Sequence, residues 1–158
     1  MTYFVMNLLL ALLWAALQAF RPMDLVGGFI IGYALIWLTR DWLGENARRY
    51  TRRVPVFLMF VLYYFRELVT SALEVIQALF RDQNSLKPGI IAFPLDAKSD
   101  MEIVLLNNLL IFTPGTLGVH LSENREILFI HIIDVPDPDD ARHRIKTGLE
   151  RRLLEVLR

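Results

Sequence analysis

The sequence predicts a membrane-embedded α-helical hairpin, then a long and partly amphipathic helix, then a small α+β domain of βαββα order. Three observations carry this. Two charge-free apolar runs lie four residues apart near the start of the chain. A longer segment then changes from apolar all round to amphipathic. Last, an apolar helix runs into Thr113-Pro114-Gly115-Thr116, and a strand pattern starts at once. The chain is 54% hydrophobic, with a mean hydropathy of +0.39, high for a water-soluble domain of 158 residues. The expected divisions are 1–40 (hairpin), 41–53 (basic loop), 54–81 (long helix) and 82–158 (α+β domain).

Tyr3 to Phe20 carries no charged side chain. As a helix it covers about 27 Å, close to a hydrocarbon core. A cleaved signal peptide fits less well, because the basic n-region and a small-residue cleavage site are missing. Arg21 to Asp24 forms a turn. Leu25 to Leu38 is the second apolar run, with Gly28 and Gly32 at small-xxx-small spacing. Such a pair lets helix backbones approach closely, against the first helix or against a partner subunit.

Arg40, Arg48, Arg49, Arg52 and Arg53 then outweigh Asp41 and Glu45. The positive-inside rule puts 41–53 in the cytoplasm and the 21–24 turn outside. Val54 to Phe80 starts apolar and becomes two-sided. Arg66, Glu67, Thr70, Ser71, Glu74, Gln77 and Arg81 fall on one side, and Leu68, Val69, Ala72, Leu73, Ile76, Leu79 and Phe80 on the other. Charges at bilayer depth cost about 3 kcal/mol each, which favours an interfacial helix and a cytoplasmic C-terminal domain over a third span.

Gln83 to Lys87 reads as a polar connector, closed by Pro88-Gly89. Ile90 to Pro94 is a strand, and Ser99 or Asp100 caps a helix over 101–112. Pro114 ends that helix and Gly115 allows a positive φ, so the chain turns into a hairpin of 117–122 and 127–134. By simple alternation Leu117, Val119 and Leu121 share one face of the first strand, and Gly118, His120 and Ser122 the other. The second strand is apolar on both faces. Its outer face, with Ile127, Phe129, His131 and the neighbouring His120, needs cover from a partner or from the long helix. Asp137 and Asp139, among prolines, can cap a last amphipathic helix. The βαββα order corresponds to part of a ferredoxin-like unit.

Little chemistry is visible. The absence of cysteine removes disulfides, thiol nucleophiles and cysteine metal sites. His120 and His131 come out as diagonal neighbours on one sheet face, without a third or fourth metal ligand nearby. No serine or threonine has a base placed by sequence, and there is no glycine-rich phosphate loop. No metal, cofactor or catalytic residue is expected. Lys and Arg balance Asp and Glu at 17 each, so no nucleic-acid partner is indicated. The two apolar runs hold no Asp, Glu, Lys, Arg or His, so they are poorly equipped to move H⁺ or Na⁺. Glu67 and Glu74, one heptad apart, are the remaining candidates for coupling, with solvation or ion pairing as their ordinary use.

Several stretches together resemble a known family. They are NLLLALLW, FRELVTSALEVIQALF, KPGIIAFPL and LLNNLLIFTPGTLGVHLSENREILFIHIIDV, followed by the acidic, proline-rich break before the last helix. In this arrangement the chain resembles the MrpE/MnhE family, the E-type subunits of the bacterial Mrp-type (Mnh) multisubunit Na⁺/H⁺ antiporters. The resemblance implies a plasma-membrane accessory subunit whose partners are the other Mrp antiporter subunits and the lipid bilayer. It also implies that cation chemistry lies mainly in larger subunits. The expected role is assembly and stability, with a cytoplasmic sensor of an ion or small ligand as the alternative. Contacts with partners are expected at Gly28, Gly32, Glu67, Glu74, His120, Phe129 and His131. Thr113 to Thr116 form the structural turn.

Overall fold

The computed structural model describes residues 2–81 and 86–158, so residues 83–85 of the predicted 83–87 connector lie outside the described residues. Three helices lead: α1 (Thr2–Leu17), α2 (Pro22–Leu43) and α3 (Glu45–Leu79). Strand β1 (Gly89–Pro94), helix α4 (Asp100–Phe112), and strands β2 (Thr116–Leu121) and β3 (Ile127–Ile132) follow. The chain closes on α5 (Pro138–Arg144), a π-helical turn over Ile145–Glu150 and α6 (Arg151–Leu157). Two compact units result, Met1–Leu58 and Met59–Arg158, and the division falls inside α3.

In the first unit, α1 and α2 are an antiparallel hairpin sealed by small residues. Gly28 and Gly32 are buried against α1. A Cβ on Gly28 would stand 2.8 Å from Trp14 Cβ and 2.9 Å from Ala11 Cα; one on Gly32 would run into the Asn7 side chain. Helices α2 and α3 are long and apolar enough to cross a membrane, whereas α1 has 16 residues. Helix α1 stops at Leu17, short of the expected Phe20, which has a φ of 55°.

The expected 41–53 loop is almost entirely helical. Helix α2 continues to Leu43, and α3 begins two residues later, after Gly44 at φ +86°. Pro55 lies inside α3 and has no N–H for the carbonyl of Thr51. The Tyr33 hydroxyl donates to that carbonyl instead, at 2.9 Å. Asn7, fully buried, donates from Nδ2 to the Tyr50 hydroxyl at 2.7 Å. Polar side chains of α1 and α2 thereby hold the first turns of α3.

In the second unit the sheet order is β1-β3-β2, with β3 antiparallel to both neighbours. Ile91, Phe93, Leu128, Ile130 and Ile132 point to one side, where Leu106 and Leu110 of α4, and Ala141, Leu149 and Leu153 of the C-terminal helix, complete the core. Phe60 of α3 enters the same core, with Tyr64 packed against it. The long helix thus belongs to the helical layer, and the outer sheet face is left open. Ile90, Leu117 and Val119 are exposed there at 59%, 48% and 52%.

Simple alternation fails in β2. Gly118 pairs with Ile130 and His120 with Phe129, so Val119 is an inserted bulge residue. Leu117 and His120 consequently share the outer face, while Gly118 and Leu121 share the inner one. The bulge follows close packing: a Cβ on Gly118 would strike the Asn107 side chain of α4.

Candidate functional site

The Thr-Pro-Gly-Thr turn is built from the end of α4. The Thr113 hydroxyl donates to Leu109 O at 2.8 Å, and the Thr116 hydroxyl reaches Leu110 O at 2.5 Å and Thr113 O at 3.0 Å. The Tyr64 hydroxyl of α3 donates to Leu109 O at 2.9 Å. Three hydroxyls therefore satisfy carbonyls that a helix C-terminus leaves without N–H partners. Gly115 has φ +84°, and its carbonyl accepts from Ile133 N at 2.9 Å. A Cβ there would stand 2.9 Å from Ile133 Cγ2 and 3.1 Å from Val75 Cγ2. The turn clamps α3, α4 and β3 together.

Beside it lies a cleft of about 430 Å³ between α3, the turn, the end of β3 and α5. Glu67, Ser71 and Glu74 line its α3 wall. Arg144 bridges two acids, 4.0 Å from Glu74 and 3.6 Å from Asp140. Arg81 lies 3.4 Å from Asp134, which also accepts from Lys87 N at 3.2 Å. Asp137 accepts from Asp139 N and Asp140 N as the N-cap of α5. Glu74 and Asp134 thus reach neighbouring segments, whereas Asp137 and Asp140 act within α5. Glu67 is half-buried on the wall. Among the described residues no group of three or more acidic or histidine side chains is placed to hold a metal ion.

His120 stacks on Phe129 across the hairpin, ring centroids 5.9 Å apart. His131 pairs with Leu117 in the adjoining register position, so both histidines lie on the outer face. Gly28 and Gly32 lie in the first unit and Glu67 and Glu74 in the second.

Two anchors were not visible in the sequence. Glu150 is fully buried, and its Oε1 accepts from Asp96 N at 2.6 Å and Ala97 N at 3.1 Å. Lys146 lies 2.9 Å from Glu150 Oε2, 2.9 Å from Asp96 Oδ1 and 2.6 Å from Pro94 O. The i, i+4 spacing of Lys146 and Glu150 was the available signal. The second anchor is Glu102, which closes a capping box with Ser99 and takes Arg158 Nε at 3.1 Å. The Arg158 hydrogen bond, helped by the Lys98 and Ser99 amides, lowers its pKa from 4.5 to about 2. Because the folded value is the lower one, the clamp contributes fully above about pH 4.5 and is lost as pH falls toward 2. Amide protection over 98–103, taken relative to the intrinsic exchange rate at each pH, should fall over that window in the parent chain, and already be low at neutral pH in Glu102→Ala.

Known proteins share both the sequence and this architecture. Residues 7–156 match a family model described as "Na+/H+ ion antiporter subunit". The E-type Na⁺/H⁺ antiporter subunit of Alkalihalophilus pseudofirmus is 31% identical over 153 residues, 96% of each chain. The E1-type antiporter subunit of Staphylococcus haemolyticus is 30% identical over 153 residues, covering 96% of this chain and 95% of its own. Among solved structures, a chain of the Mrp complex from Dietzia sp. DQ12-45-1b matches at TM-score 0.50 and 30% identity, over 65% of this chain and 96% of that one. A chain of an archaeal respiratory complex, the membrane-bound sulfane sulfur reductase, shares the fold over 98% of both chains at TM-score 0.59 and 23% identity.

Proposed function

The chain belongs to the MnhE family of multisubunit Na⁺/H⁺ antiporters, and from that premise we propose that its role is assembly of the complex rather than ion conduction. Its partners are the other subunits of a hetero-oligomeric membrane complex. One observation carries the assembly reading. From Tyr3 to Phe20 and from Leu25 to Leu38 there is no Asp, Glu, Lys, Arg or His. Groups of that kind are what an ion path at membrane depth needs. The hairpin therefore anchors without ferrying ions, and the chain is non-enzymatic.

The second unit is read as part of a ferredoxin-like βαββα fold, supported by the order β1-β3-β2 with β3 antiparallel to both neighbours. Its open outer face, with Leu117, Phe129 and the two histidines, is the surface we assign to a neighbouring subunit. The arginine excess over 40–53 supports placing this domain in the cytoplasm of a bacterial cell, beneath the plasma membrane. Helix α3 then lies at the interface, its Leu62, Phe65, Val69, Leu73 and Ile76 exposed along one stripe. A cysteine at Glu123 in oriented vesicles should be labelled from the cytoplasmic side; labelling from outside alone would overturn this placement.

Deleting the chain should leave the other subunits unassembled by native mass spectrometry of the gently solubilised complex. A complete and active complex without it would refute the proposal. Glu67→Gln and Glu74→Gln should each leave Na⁺/H⁺ exchange within about twofold of the parent, since helix charges that are only solvated or ion-paired contribute little. Abolished exchange in a normally assembled complex would instead put these carboxylates in the coupling path.

A further inference from the structure

The arginines at the end of α2 and the start of α3 also shape a cavity. Arg40 and Asp41 on α2, with Arg48, Thr51 and Arg52 on α3, line a cavity of about 310 Å³. Three guanidinium groups there face one carboxylate. Asp41 engages Arg48, Nε to Oδ1 at 3.0 Å. Arg40 lies over the Trp37 ring, 5.0 Å from its centroid. Among the described residues Arg40 and Arg52 make no ion pair. The cavity therefore has a cationic surplus in a planar, multi-donor form, which matches phosphate oxygens.

Its position selects among phosphates. Arg40 stands sixteen residues beyond Asp24 on one continuous helix, about 24 Å along its axis, and the stretch from Leu25 to Leu38 is apolar. That separation carries the cavity to the edge of a hydrocarbon core. Leu38 and Trp42, on the same end of α2, are 73% and 92% exposed, and tryptophan is enriched at that depth. We propose that this cavity binds the phosphodiester of an anionic phospholipid such as phosphatidylglycerol, with the acyl chains running along α2. The assignment rests on the membrane reading above.

The test uses the full chain in detergent micelles, titrated with phosphatidylglycerol, phosphatidylcholine or inorganic phosphate and followed by native mass spectrometry. Phosphatidylglycerol should be retained about tenfold better than phosphatidylcholine, and millimolar inorganic phosphate should not displace it. Arg40→Gln combined with Arg52→Gln should lower that retention about tenfold. Arg52→Lys should keep part of it, and Arg151→Gln, which removes a charge outside the cavity, should leave it unchanged. Equal retention of both lipids, equal binding of free phosphate, or indifference to the double substitution would each overturn the proposal. So would a double variant that keeps its lipid but falls out of the antiporter complex, since the arginines would then serve a protein carboxylate. Assembly of the complex, measured in parallel, tests the subunit role separately: its survival alongside lost lipid preference would remove only the lipid site.

Discussion

Joint substitution of Gly28→Ala and Gly32→Ala should separate α1 from α2 and strip most of the chain from the assembled antiporter. Two methyl groups suffice because both positions face fixed atoms. At Gly28 the new Cβ would meet Ala11 backbone at 2.9 Å, and at Gly32 the Leu10 Cβ at 3.2 Å together with the Asn7 side chain. Overpacking of this kind costs about 1–3 kcal/mol per site. In lipid no hydrophobic gain between helices offsets it, since close van der Waals contact is itself what drives association. The displacement spreads further. Asn7 also holds the Tyr50 hydroxyl at 2.7 Å, so moving it loosens the start of α3. Gly27→Ala is the matched control, because its added Cβ meets nothing closer than Trp14 Nε1 at 3.9 Å. Gel filtration of the solubilised complex after stepwise heating measures both. The packing argument fails if the double variant stays incorporated and dissociates at the parent temperature.

The features legible in the sequence are those decided by residues near one another in the chain. Ser99 or Asp100 is expected to cap α4, and in the structure Ser99 does. Asp137 before Pro138 caps the next helix in the same way. Thr113 to Thr116 stops α4 and starts β2 for local reasons, proline sterics and a glycine at positive φ. The hairpin register even places His120 and His131 correctly, because the inserted Val119 shifts β2 only beyond Gly118.

What escaped the sequence depends on distant partners. Residues 41–53 read as a basic loop because they are arginine-rich and separate two apolar stretches. They are almost entirely helical, and Tyr33, eighteen residues before Thr51, supplies the donor that Pro55 lacks. The bulge in β2 adjoins Gly118, whose lack of a side chain is required by Asn107 on another element. Of the site, the α3 carboxylates were nameable but their surroundings were not. Glu74 finds Arg144, seventy residues on, and the cleft exists only when α3 lies against the turn and α5. Periodicity reports which face of a helix is apolar and says nothing about which distant charge will meet it.

Glu150 is the sharpest such case, and replacing it should unfasten the C-terminal helix from the sheet. Glu150→Ala would leave the Asp96 and Ala97 N–H groups without their acceptor and Lys146 without one of its two carboxylates. Each stranded buried donor costs about 1–3 kcal/mol. Removing one partner of a buried pair costs about 3–5 kcal/mol. A loss of about 4 kcal/mol is a large share of the stability of a unit this size. Glu150→Gln should recover more than half of it, because the amide oxygen can still accept from both backbone groups. Lys146→Met should also be milder, since it leaves the carboxylate its two amide donors. Hydrogen exchange of the intact chain, read over 89–97 and 145–157, would rank the three variants. If Glu150→Ala exchanged no faster than Lys146→Met, the backbone amides would not be what the buried carboxylate serves, and the attachment of the last helix would rest mainly on its apolar contacts, Leu149 and Leu153 among them.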